Sequence, residues 1–502
     1  MAINYKEVLK GRGYRKLFAT TIINRFGDSI DAIAFTWLVY QVTHSGAWSA
    51  IIFALNILPN VIVQPFAGAA VERLDKKKVM VVTHILRGLV LIAFMAMYLS
   101  GLVSGWIMAG FTFIITSIEA FNMPAGTAFI PRIIKKEHIT HALSLNTSVS
   151  SMVTLVGTGI AGVIIAKVGV YTAMIIDVIT FFVSALIIFS IRQSEMVEQE
   201  NVGAEANIIS DAEQNIEQNS EQNNAQNIEY NTEQNTAQNM EQTTAAQTAV
   251  QKSEQNTAQN TERIKKPSYF STLKEGISYI RSRRVILNYC LIAVVVNAML
   301  APINALQAPL VSECYHMGSG MLSLIGMAYS IGSIIGSILV PIIDRKLSMR
   351  NVAFIFGCMI GITVMLLTMG GGLGELVVVK CTFAVLCCIL MAGASAILSG
   401  LVSVKMIANV EEKYLARVSA VFGSLVTAAM PVASLIISWA KLRVETGTLI
   451  MAGGIATLVC FIMIRIINPE LEMNKETANE DKTAGEYKEI QKGQMSYAGE
   501  NG

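Results

Sequence analysis

Charged residues interrupt several stretches that are otherwise apolar enough to cross a bilayer. Arg25, Asp28 and Asp31 fall within residues 17–42, Arg87 within 79–100, Glu119 within 104–127 and Asp177 within 171–191. A charge is costly in hydrocarbon, so residues of this kind face a cavity or one another and mark ion or substrate paths. Taking a carboxylate out of water favours its neutral form. Asp28 or Glu119 is therefore expected to carry a coupling proton. Asp31 is expected to attract a cationic substrate, and Arg25 to keep one carboxylate charged or act as its alternate partner. The purely structural alternative is a fixed ion pair of Arg25 or Arg87 with Glu119.

Polar and aromatic residues in the same apolar spans extend this candidate cavity. Trp37, Tyr40, Phe53, Asn56 and Asn297 are candidates for substrate contact, beside a reading in which they pack between helices or face lipid. Asn304 and Gln307 are favoured further, because an amide left unpaired in an apolar span is expensive.

The elements that hold these residues follow from hydropathy. More than half of the 502 residues are hydrophobic and only 15% are charged, although the average includes a long polar segment, so the remainder is too apolar for a soluble domain. A spanning helix needs about 20 mostly apolar residues. Candidates run at 17–42, 47–70, 79–100, 104–127, 142–166 and 171–191, then at 285–311, 320–343, 351–369, 375–400, 415–440 and 447–467. The fold class is an all-α membrane protein with twelve transmembrane helices in two sets of six. The first span contains Arg25, Asp28 and Asp31 and lacks a small-residue cleavage site, so it reads as a retained helix rather than a cleaved signal.

Basic residues set the orientation. Lys6, Lys10, Arg12, Arg15 and Lys16, then Arg73, Lys76, Lys77 and Lys78, then Arg132, Lys135 and Lys136, and later Arg345, Lys346, Arg350, Lys405, Lys413 and Arg417 alternate with loops that offer little beyond Lys167, Lys380, Lys441 and Arg443. Both ends of the chain and the polar linker are expected to be cytoplasmic, in a multi-pass protein of the cell membrane. The expected segments are 1–16 (cytoplasmic), 17–192 (six-helix bundle), 193–268 (linker), 269–284 (amphipathic helix), 285–468 (six-helix bundle) and 469–502 (polar tail). The linker repeats Glu-Gln-Asn and Ala-Gln-Asn units with almost no large apolar residues, a composition that favours disorder. Phe270, Leu273, Ile277 and Ile280 recur at helical spacing among basic residues, as in a helix lying on the inner leaflet.

The two sets of spans look duplicated in parallel. Glu72-Arg73 follows the second span and Asp344-Arg345 the eighth, while Thr158 of the fifth span occupies the place of Pro431 in the eleventh. Parallel six-helix repeats are a transporter architecture with the substrate site where the repeats meet.

Three groups of residues carry a family resemblance. Gly68, Glu72, Arg73, Lys76 and Lys77 resemble the loop motif between helices 2 and 3 of the major facilitator superfamily, with Glu72 in place of Asp and Asp75 in place of Gly. Asp344, Arg345 and Arg417 stand in related positions of the second half. Gly157, Thr158, Ala161 and Gly162 resemble the helix 5 antiporter motif, with Thr158 in place of Pro. Small residues there permit close helix packing. Arg25-Phe26-Gly27-Asp28, Trp37-Leu38-Val39-Tyr40-Gln41, Pro124 to Pro131 and Asp177 to Phe181 are similar to the macrolide-efflux and enterobactin-exporter branch. The resemblance implies a charge latch between the halves at the helix 2–3 loop, alternating access, and proton-driven export of amphipathic organic compounds by a monomer. Transport of a lysophospholipid or other lipid is the alternative cargo. A non-transporting scaffold or sensor, with the linker recruiting partners, is the alternative of another class.

Other chemistry finds little support. There is no Gly-rich phosphate loop ending in Lys-Ser/Thr for ATP. His44, His84, His138, His141 and His316 are scattered, and the seven cysteines form no Cys-x-x-Cys pair. No enzyme activity, metal, cofactor or nucleic-acid partner is expected; the expected partners are substrate, protons and the bilayer.

Overall fold

A computed structural model describes residues 9–134, 138–192, 194, 269–374 and 376–467. The expected disordered linker and the polar tail lie outside these residues, as do Lys135 and Lys136. All regular structure among the described residues is helical.

The first half runs α1 (Arg12–Thr43), α2 (Gly46–Ile62), α3 (Gln64–Arg73), α4 (Lys76–Leu99), α5 (Gly105–Phe129), α6 (Ile139–Val168) and α7 (Val170–Phe189). The amphipathic α8 (Tyr269–Ser282) precedes α9 (Arg284–Ala305), α10 (Ser319–Lys346), α11 (Met349–Met369), α12 (Val377–Ala408), α13 (Glu412–Lys441) and α14 (Thr446–Ile467). Ten of these helices are long and apolar enough to span a bilayer, and α2 with α3 makes a further span bent by 41°. The bend follows from Pro59 inside α2 and Pro65 in the first turn of α3, each of which removes a backbone donor. The 32-residue α1 is the remaining span and carries Arg25, Asp28 and Asp31. The protein is thus an all-α membrane protein of twelve spans in two parallel six-helix repeats.

Helix neighbours repeat pair for pair. In the first half α1 packs on α6 and α7, α4 on α5 and α7, and α2 on α5. In the second half α9 packs on α13 and α14, α11 on α12 and α14, and α10 on α12. The halves meet through α2 against α13 and α6 against α10.

The seventh span is interrupted rather than continuous over 285–311. α9 ends at Ala305, after Pro302; a single turn Gln307–Pro309 follows, and then a π-helical turn, Leu310–Cys314. Between α6 and α7 the chain turns on Gly169 alone, at φ 96°, a conformation that glycine adopts without a steric cost.

The chain divides into two units, Met1–Glu195 with Gly276–Gly502, and Met196–Glu275. In the first, Tyr279 stacks on Tyr414 with ring centres 4.6 Å apart, and Arg283 Nη2 lies 3.1 Å from Glu411 Oε1.

Candidate functional site

α1, α4, α5 and α7 bring most of the buried charge to one place. Arg87, near the middle of α4, donates from Nη2 to Asp28 Oδ1 at 3.0 Å and stands 3.8 Å from Glu119 Oε2. Its guanidinium carbon lies 4.3 Å from the centre of the Phe181 ring, where the ring face attracts a cation. Asn24, one turn before Asp28, donates from Nδ2 to Asp28 Oδ2 at 2.8 Å. Asp28 therefore has a partner on each oxygen.

Asp177 of α7 is 1% exposed. The Thr180 hydroxyl lies 3.1 Å from its Oδ1 and 2.8 Å from its carbonyl oxygen. Gly27, beside Asp28, is what lets α7 come this close to α1: a Cβ there would fall 2.5 Å from Asp177 Oδ1. His84 is buried one turn before Arg87, with Nδ1 2.7 Å from the Met80 carbonyl oxygen. Asp31 Oδ1 and Arg87 Nε are buried and make no hydrogen bond to described protein groups. Asp28 and Glu119 thus share one buried guanidinium, and the carboxyls of Asp31 on α1 and Asp177 on α7, buried on helices of the same cluster, add to the negative charge that it must balance.

The space beside this cluster opens toward one face. The face on which α1 begins and α14 ends is the terminal face, and the other is the distal face. Along α5, Met108, Thr112 and Thr116 form a buried ridge at i, i+4 spacing near the distal end. The ridge continues toward the terminal face through Glu119, whose side chain is 45% exposed, and the exposed Met123 and Thr127. Exposed apolar residues such as Trp106, Phe113 and Ile114 lie on a separate stripe. α6 repeats the pattern, with Gly162 and Thr158 buried and Ser151 and Thr147 exposed. So does α13, with Ser438 and Ser434 buried and Thr427 and Gly423 exposed. These helix faces are buried distally and exposed toward the terminal face.

The small residues of α6 make the distal closure. A Cβ on Gly157 would fall 2.8 Å from Ser29 Cβ of α1, and Gly162 lies against Ser323 and Gly320 of α10. Thr158 in turn fills the space at Gly326 of α10, where a Cβ would fall 2.6 Å from Thr158 Cγ2. Ala161 is fully buried beside them.

Several expected sites lie elsewhere. Arg25 is exposed, and the guanidinium on Asp28 comes from Arg87 instead, because α4 packs its middle turn against α1. Trp37 lines a distal crevice with Gln41, Tyr98 and Gly318. The Tyr40 hydroxyl donates to Glu313 Oε1 at 3.0 Å at the same end, so neither aromatic residue adjoins the Arg87 cluster. Asn56 is exposed on α2. Asn297 bonds its own helix, from Nδ2 to the Ala293 carbonyl oxygen at 3.0 Å. Asn304 is half-buried in the last turn of α9, and Gln307 begins the break after it.

Around the loop motif and its counterpart, the described contacts lie within each half. Asp75 caps α4, with its Oδ1 accepting from the Lys78 amide at 3.2 Å. Lys77 Nζ donates to the Ile191 carbonyl oxygen at 2.7 Å, just past the end of α7, where a cation suits the helix dipole. Asp344 pairs inside its own half, with Oδ1 2.6 Å from Lys405 Nζ of α12. Arg417 lies 5.8 Å from the Tyr414 ring centre. Arg73 and Arg345 are exposed, Lys76 is half-buried and Gly68 has open space beside it. The Glu72 side chain lies outside the described residues.

Arg87 and Asp177 belong to the cluster more closely than sequence reasoning placed them. Their signal was present: a charge in an apolar run, and the Asp177-Val-Ile-Thr-Phe181 segment whose Thr and Phe turn out to serve Asp177 and Arg87. Glu313 was missed, since it follows an apolar run and reads as the start of a loop.

Comparison with known proteins follows the same line. The family model of the Major Facilitator Superfamily matches residues 17–434. The chain is 25% identical over 197 residues to the uncharacterized MFS-type transporter YkuC of Bacillus subtilis, a match covering 39% of this chain and 45% of that one. It thus spans less than half the length of that relative. Macrolide efflux protein A of Streptococcus pyogenes is 20% identical over 458 residues, covering 90% of this chain and 95% of the other. Among solved structures, the nucleoside transporter NupG superposes with a TM-score of 0.63 at 10% identity, over 91% of this chain and 99% of that one.

Proposed function

The chain belongs to the Major Facilitator Superfamily, and from that premise we propose that it exports amphipathic organic compounds across the cell membrane in exchange for protons. One observation carries the reading: a single buried arginine, Arg87, is shared by Asp28 and Glu119 where the parted helix faces begin. The terminal face, which bears the basic loops, is the cytoplasmic one. A cleft open there loads cargo from the cytoplasm, and the likeness to macrolide efflux protein A over nearly its whole length supports the outward direction.

The proton acts on the charge balance. With Asp28 ionised, Arg87 Nη2 holds Oδ1 at 3.0 Å and α1 is tied to α4. A proton on Oδ1 neutralises the carboxylate, so the ion pair is lost and the bond weakens. The guanidinium then turns to Glu119 Oε2, 3.8 Å away on α5. Asn24 keeps Asp28 Oδ2 in place, so the carboxyl does not wander when its charge goes. A cationic cargo entering beside Glu119 and Asp31 competes with the proton for the same negative charge, which is the coupling. The halves then rock about the contacts of α2 with α13 and α6 with α10.

Inverted vesicles carrying the protein test this directly. Under an imposed pH gradient they are loaded in turn with cationic dyes, macrolides, siderophores and lysolipids. Gradient-dependent accumulation of a dye or macrolide is expected; accumulation of lysolipids alone shifts the reading to lipid transport, and no accumulation of any compound overturns it.

A further inference from the structure

The interrupted segment after α9 places a carboxylate where the two halves meet at the distal face. Pro302 and Pro309 flank the break, and the π-helical turn Leu310–Cys314 brings Glu313 toward α1. π-Helical turns are uncommon and concentrate at functional positions. Glu313 Oε1 accepts from the Tyr40 hydroxyl of α1 at 3.0 Å. Its Oε2 accepts from Thr446 Oγ1 of α14 at 2.6 Å and from Lys441 Nζ of α13 at 3.2 Å. We propose that Glu313 is a latch that holds the distal face closed: the second half carries the carboxylate ready-made, and Tyr40 of the first half closes on it.

The division of partners is what makes the contact reversible. Lys441 and Thr446 lie in the same half as Glu313, and the turn is pinned in that half by the buried Tyr315, whose hydroxyl donates to the Leu367 carbonyl oxygen of α11 at 2.7 Å. When the halves part, Glu313 keeps its lysine and threonine and loses only Tyr40. Opening therefore strands no charge, which would otherwise be severe in a site largely removed from water. Elsewhere the distal closure is close packing at glycines: the Lys441 stem lies along Gly46 at the start of α2, where a Cβ would fall 2.7 Å from its Cε, and the Thr158 methyl meets Gly326. Tyr40 is accordingly a positioning residue for the transport cycle rather than a cargo contact. The inference rests on the alternating-access part of the proposed function and on neither its cargo nor its proton.

Spin-label distances read the latch without transport. In a background with the seven cysteines replaced, one label pair is placed at Ser100 and Leu376, exposed distal positions in the two halves, and a second at Arg132 and Lys346 on the terminal face. Tyr40→Phe removes the bond and little else. Losing one net hydrogen bond is expected to raise the ratio of distally open to closed molecules by about five-fold, lengthening the first distance and shortening the second. Glu313→Gln is expected to shift it in the same direction, and Glu445→Gln, at an exposed neighbouring carboxylate, to leave it unchanged. Gly326→Leu, which wedges α6 from α10, opens the distal face whether or not the latch exists. If the wedge moves both pairs while Tyr40→Phe and Glu313→Gln leave them as in the parent, the latch is overturned and alternating access stands. If no variant, the wedge included, moves either pair, alternating access fails and the latch with it.

Discussion

Arg87 is the residue on which the buried cluster depends, and its removal should be harsher than that of any one carboxylate. Arg87→Met leaves Asp28 uncompensated at a buried position, a loss expected to destabilise by about 3–5 kcal/mol. Adding Asp28→Asn to that variant removes the stranded charge and should recover part of the loss. Thermal unfolding of the purified variants measures both, and a double variant less stable than Arg87→Met would refute the pairing. Gly27→Val drives two methyl groups into Asp177 and Thr180, and overpacking of that kind is expected to cost about 1–3 kcal/mol in the same assay. The carboxylates were legible in the sequence because a charge in an apolar run has few bland explanations. Which arginine served them was not, because Arg25 and Arg87 differ only in how α1 and α4 are rotated, and rotation is set by packing rather than by hydropathy.

At the scale of elements, α8 offers a test through Glu411, which holds it beside the stacking of Tyr279 on Tyr414. Glu411 accepts from Arg283 at 3.1 Å and from the Tyr279 hydroxyl at 3.4 Å. Such exposed contacts contribute roughly 1 kcal/mol or less. Glu411→Gln should therefore speed amide exchange over residues 276–282 by no more than about five-fold, with transport unaltered; unchanged exchange would mean that Glu411 does not hold the helix. The amphipathic pattern of α8 and the twelve spans could be read from apolar runs, since each run is longer than a buried soluble helix requires. The breaks were less visible. Pro59, Pro65, Pro302 and Pro309 were in plain sight, but proline inside a membrane helix can bend, break or simply be absorbed by neighbours. The π-helical turn that aims Glu313 is held by a tertiary contact, the hydrogen bond from the Tyr315 hydroxyl to the Leu367 carbonyl oxygen of α11, which no local pattern announces.

The whole molecule is a pair of six-helix repeats closed at one face, and the parallel duplication was visible in the offset between Glu72-Arg73 and Asp344-Arg345. What the offset could not reveal is the partner of the second acidic position, Asp344, which is tied to Lys405 within its own half. Deleting residues 200–260 should leave most gradient-driven transport intact, while a scaffold or sensor that recruits partners through the linker would lose its function. The central claim concerns the proton, and one comparison isolates it. Asp28→Asn and Glu119→Gln are reconstituted beside the parent, and each is assayed for cargo counterflow without a gradient and for accumulation driven by a pH gradient. Both variants should retain counterflow, and at least one should lose gradient-driven accumulation. Full gradient-driven accumulation in both would contradict proton exchange at the Arg87 cluster.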